Sequence, residues 1–102
     1  MNDSKPAGGH TPEIDLAEVT RLVDAIEQDL GKVRGKADDL RQLRNEVATL
    51  KNVLNSPIQR HHWVRDGLHG MRTAFEDALD TTMAEGIKAG RYVAEIGRIL
   101  GL

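Results

Sequence analysis

The stretch VTRLVDAIEQDLGKVRGKADDLRQLRNEVATLKNVLN, residues 19–55, carries the architecture of this chain. Its apolar side chains Val19, Val23, Ile26, Leu30, Val33, Ala37, Leu40, Leu43, Val47, Leu50 and Leu54 follow one another at steps of three and four residues. That spacing places them on one narrow seam of a helix, and such a seam is stable only when another helix covers it. The pattern predicts an all-α fold that buries the seam against further helices. Two consecutive three-residue steps, Ala37 to Leu40 to Leu43, form a stammer that overwinds a supercoil locally.

The seam predicts one continuous helix over residues 12–55, about 65 Å long at 1.5 Å per residue. Thr11, Pro12 and Glu13 suit its start as cap, first position and acidic first turn. Gly31 and Gly35 are its weak points, each costing about 1 kcal/mol relative to Ala, and residues 31–35 are the alternative break. Leu30, Val33 and Ala37 keep phase across the glycines, which favours continuity. Residues 1–10 hold little to bury and read as a disordered tail ahead of a single helical domain, 11–102.

After this helix, Ser56-Pro57-Ile58-Gln59 reads as a turn with a capping box: Ser as cap, Pro at the first helical position, Gln at the third. A second helix over 57–85 then carries Val64, Leu68, Met71, Phe75, Leu79 and Met83 on one face. Gly86 and Gly90 bracket a break before a last helix over 88–100 with Val93, Ile96, Ile99 and Leu100. A short turn between long helices predicts an antiparallel hairpin with a C-terminal helical extension.

At 102 residues with one Trp, one Phe and one Tyr, the chain has few large side chains with which to build a core. A second copy is the simplest source of further burial, so the reading is a homodimer packed as a four-helix, coiled-coil-like bundle. Its expected interface is Val23, Ile26, Leu30, Val33, Leu40, Leu43, Val47, Leu50 and Leu54, with Leu68, Met71, Phe75, Leu79, Val93 and Ile96 completing the core. Helix one starts acidic and becomes basic after Lys32, whereas the second helix starts basic at Arg60 and ends acidic at Glu85. Two hairpins packed antiparallel would bring opposite signs together.

The formal net charge of −2 points to neither nucleic acid nor membrane, and the lack of cysteine excludes disulfides and thiol chemistry. No apolar run approaches membrane-spanning length, and no targeting signal is seen, so the cytoplasm is the default location.

The least ordinary local composition is Arg60-His61-His62-Trp63-Val64-Arg65. His62, Asp66 and His69 stand at i, i+4 and i+7 and form a candidate metal set; a solvated turn with a His62–Asp66 pair is the simpler reading. Arg60, Trp63, Arg65 and Arg72 form a candidate partner surface, against which Trp63 could instead cap the core with its indole. The same arginines offer an alternative function, a small nucleic-acid-associated regulator. No nucleophile triad, phosphate-binding loop or convergent carboxylate pair is present, so neither an enzyme nor a cofactor site is expected. The function expected is that of a self-associating, non-catalytic interaction, adaptor or assembly protein.

Overall fold

A computed structural model describes residues 14–58 and 60–102. They form five helices: α1 (Leu16–Gly31), α2 (Asp38–Asn55), α3 (His61–Asp77), α4 (Leu79–Ala84) and α5 (Ala89–Leu100). Among the described residues there is no strand. The expected tail at 1–10 and the start at Thr11-Pro12-Glu13 lie outside the described residues. The observed cap of α1 is Asp15, whose carboxylate accepts from the N–H groups of Ala17 and Glu18 at 3.0 and 3.3 Å. Those donors lack partners within the helix, so a carboxylate there supplies both a hydrogen bond and a favourable charge.

The continuous helix over 12–55 is corrected: α1 ends at Gly31, and α2 begins at Asp38. Breaking the ladder orphans carbonyl groups, and a side chain from the next helix satisfies them. Arg44 donates to the carbonyls of Val33 at 2.9 Å and Gly35 at 3.2 Å, and reaches that of Leu30. The seam keeps phase through the break because both sides face one core. Val33 is buried within the connection, between Leu30 and Leu40; only Ala37 leaves the seam and is exposed. Arg44→Met is expected to release this connection. Losing hydrogen bonds from a charged donor should cost about 2 kcal/mol, read as an earlier urea midpoint at unchanged slope.

The break lets α2 fold back along α1, with Lys51 paired to Glu27. Between α2 and α3, contacts run from Leu50 against Gly67 and Glu46 against Gly70 to Thr81, beyond α3, bonded to Asp39 at 2.6 Å. Numbers fall along α2 as they rise in the partner, so the helices run in opposite directions. A Cβ at Gly67 would stand 2.8 Å from Leu50 Cδ1, and this missing methyl allows the close approach. Arg65 donates to the Leu100 carbonyl at 3.3 Å and Phe75 packs on Tyr92, ring centroids 5.5 Å apart, so α5 runs opposite to α3. Side-chain bonds from Arg98 to Glu18 and from Tyr92 to Asp29 join α5 back to α1.

The four longer helices thus enclose one core within one chain. The residues expected between two copies, Val23, Ile26, Leu30, Val33, Leu40, Leu43, Val47, Leu50 and Leu54, are all buried in it, beside Leu68, Met71, Phe75 and Ile96. Their seam is covered by the chain's own helices. Charge follows the same logic: the acidic start of α1 meets Arg98 of α5, and Glu27 meets Lys51 of α2.

The second helix also differs from its expected span of 57–85. Pro57 disfavours helical geometry at Ser56, which is extended at φ −67°, ψ 143°. Ser56 Oγ accepts from the Ile58 N–H at 3.3 Å and closes a local turn, while α3 starts at His61 without a side-chain cap. Gln59 of the expected capping box lies outside the described residues. At Ala78 (φ −103°, ψ 19°) the helix is interrupted before α4. The buried stripe runs Leu68, Met71, Phe75, Ala78, Thr82, so Leu79, expected in the core, and Met83, expected on the same apolar face, are 37% and 59% exposed. Thr82 tolerates burial because its hydroxyl donates to the Ala78 carbonyl at 2.8 Å. Gly86, at φ 85°, adopts the left-handed geometry that stops α4, and α5 follows close to its expected span.

Candidate functional site

Pro57 and the turn at Ser56 set the chain's direction into α3 and leave Ile58 at the tip, 63% exposed. In the first turn of α3, Val64 takes the buried position and Trp63 is left outside, 47% exposed. Trp63 therefore does not cap the core. Its ring is held between neighbours: the Arg60 guanidinium lies 5.0 Å from its centroid, and the His62 ring meets it edge-on at 5.7 Å. A cation over an indole face is attracted by the ring quadrupole, which fixes the orientation of both side chains. His61 and His62 are exposed beside it. The tip is thus apolar at Ile58 and Trp63 and basic at Arg60.

The other expected partner residues part company here. Arg65 turns to the C-terminal end of α5, where its bond to the Leu100 carbonyl complements the negative helix end. Arg72 is half-buried against α5, near Gly97, its Nε without a hydrogen-bond partner. Of the three arginines, only Arg60 stands fully exposed. His62, Asp66 and His69 are each exposed, and among the described residues no three His, Cys, Asp or Glu side chains converge on a point that would hold a metal.

Elsewhere the polar groups tie helices together. A hydrogen bond from Arg98 holds the Glu95 carboxyl below its usual range, and Glu95 and Glu18 raise Arg98. Glu27 raises Lys51 by accepting its hydrogen bond. Burial, then the bond to Asp29, pushes the Tyr92 hydroxyl up to about 12. These pairs join α1 to α5 and α2, and Asp29 and Tyr92 also line a pocket of about 300 Å³ with Gly86, Lys88 and Arg91. A groove of about 250 Å³ between α1 and α2 is lined by Glu27, Leu30, Gly31, Arg44, Val47 and Ala48. Its Arg44 is already committed to backbone carbonyls.

A second apolar spot went unrecognised in the sequence. Leu79 and Met83 lie exposed at the start and near the end of α4, flanked by exposed Glu76 and Asp80. The helical spacing puts Leu79 in the expected core and Met83 on the same apolar face; the smaller Ala78 and Thr82 fill the buried places instead. Ile58 falls within the expected capping box, and directly after a turn proline no helix buries its large aliphatic side chain.

No helix among the described residues is long and apolar enough to cross a membrane. No known protein family matches this chain at a significant level, and neither does any curated protein or any solved structure.

Proposed function

We propose that the chain is a non-catalytic, self-associating helical module that acts by docking protein surfaces at the tip formed by Ile58, Arg60 and Trp63. The observation that carries this reading is the position of Trp63, nearly half exposed yet oriented by Arg60. A tryptophan left in water by a fold that is short of aromatic residues is a poor use of the largest apolar side chain unless something covers it. Oriented aromatic and arginine side chains are also those most often found at the centre of protein interfaces. The reading as a nucleic-acid regulator gains less support, since Arg65 is bonded to the Leu100 carbonyl and Arg72 is half-buried near Gly97.

A photo-crosslinking side chain placed at position 63 tests the proposal in cells that express the chain. Discrete protein adducts are expected from position 63, none from exposed Thr49 on α2, and loss of the adducts when Ile58→Asp is added. Equal labelling from both positions, or adducts indifferent to Ile58→Asp, would remove the tip as a docking surface.

A further inference from the structure

We infer that the partner of the Trp63 tip is a second copy of this chain, which docks through the acidic, apolar face formed by Glu76, Leu79, Asp80 and Met83, and that copies join head to tail. This inference rests on the reading above that the tip is a docking surface, and it names the occupant.

The two surfaces complement one another in the properties that matter at an interface. One presents Trp63 and Ile58 with the Arg60 cation; the other presents Met83 and Leu79 with the Glu76 and Asp80 carboxylates, all exposed. Methionine and leucine are the side chains that pack readily on an indole, and thioether–aromatic contacts are favourable in their own right. The first turn of α3 contains no acidic residue and its cap is basic, so the positive end of the helix adds to Arg60. On α4 the first turn is acidic. Asp66, one turn beyond Trp63, is the acidic residue of α3 nearest the tip, Glu76 and Asp77 standing at the far end of the helix, and Glu85 lies beside Gly35.

Geometry selects head-to-tail joining over a two-fold dimer. The 17 residues of α3 separate the surfaces by about 26 Å along the helix, within a molecule 53 Å long. At about 100° per residue, Glu76, which stands on α3 itself, falls about 140° around the helical wheel from Trp63, so the acidic face and the tip lie on opposite flanks of α3. Two copies laid side by side cannot join both pairs of surfaces at once. A docked pair therefore keeps one free tip and one free acidic face, which is a heterologous contact that extends or closes into a ring.

Sedimentation of the full chain over a wide concentration range, up to about 1 mM, tests this, with Trp63→Ala and Met83→Lys as variants. Both positions are exposed, so both variants should keep the wild-type helical circular dichroism. Wild type is expected to show a mass that rises with concentration and falls in about 1 M salt, where the screening length is ~3 Å. Each variant alone should associate at least about tenfold more weakly. An equimolar mixture of the two should recover association that stops at two copies, because each variant retains the surface that the other has lost. A wild type that stays a single copy throughout overturns the inference; if position 63 still yields adducts with a different protein, the docking reading survives and only its occupant changes. Association that persists in Trp63→Ala, or a mixture that stays monomeric, also overturns it.

Discussion

Leu40→Asp is expected to unfold the chain, whereas Ala37→Asp, the same change one step earlier on the same apolar seam, is expected to stabilise it. Leu40 is fully buried among α-helical neighbours, and an unpaired carboxylate there loses its hydration without gaining a partner. The loss of the leucine adds a packing defect, and together these exceed about 4 kcal/mol, a large part of what holds a domain of this size together. Ala37 is exposed and extended at φ −60°, ψ 148°, at the cap of α2, which has no side-chain hydrogen bond. The Leu40 N–H already donates to the Asp39 carboxylate at 2.8 Å, so aspartate at position 37 accepts from the Asp39 N–H of the first turn, worth about 1 kcal/mol. Were residues 12–55 one helix, Ala37→Asp would instead place a charge on a buried seam and destabilise. The sign of its shift in urea midpoint separates the two architectures, and destabilisation comparable to that of Leu40→Asp would overturn the break.

That pair of residues shows what the sequence made legible and what it hid. The seam was readable because a core imposes its three-and-four spacing on any helix that faces it. It did not reveal how many helices carried it: Leu30, Val33 and Leu40 stay in phase across a connection because all three point into the same interior. Arg44 is the residue that makes the break affordable, and its role depends on carbonyls as far as 14 positions back in the chain. No local pattern marks such a long-range hydrogen bond. The seam announced that it needs covering helices without saying which ones: once α1 and α2 separate, helices of the same chain enclose it in one core.

The surface was harder to read than the core, for a physical reason. After Phe75, steps of three and four lead equally well to Ala78 and Thr82 or to Leu79 and Met83, and hydrophobicity alone prefers the second pair. The interruption at Ala78 favours the first, because close helix packing suits small side chains and Thr82 satisfies its hydroxyl on its own helix. What the sequence suggested as core thus became the exposed face of α4. Arg60, Trp63, Arg65 and Arg72 looked alike as a basic, aromatic cluster, yet the direction of each side chain around α3 sends Trp63 to solvent and Arg65 and Arg72 to α5.

Phe75 is where that helix is most exposed to damage. It is the chain's single phenylalanine, fully buried, and its ring packs against Tyr92 of α5 at an interplanar angle of 32°. Phe75→Ala removes the largest buried side chain of the core and leaves a cavity that small aliphatic neighbours cannot collapse to fill, at an expected cost of about 3–5 kcal/mol. Phe75→Leu keeps much of the volume and should cost about half as much, losing the aromatic contact and part of the burial. Both changes should shift the urea midpoint with the slope unchanged, since the same surface is exposed on unfolding. The loss should also be felt at a distance: Tyr92 bonds to Asp29, so loosening its ring weakens the junction of α5 with α1. Amide exchange in α5 is therefore expected to rise in Phe75→Ala by more than exchange in α2. Equal acceleration in the two helices would mean that Phe75 fills space without holding α5 in place.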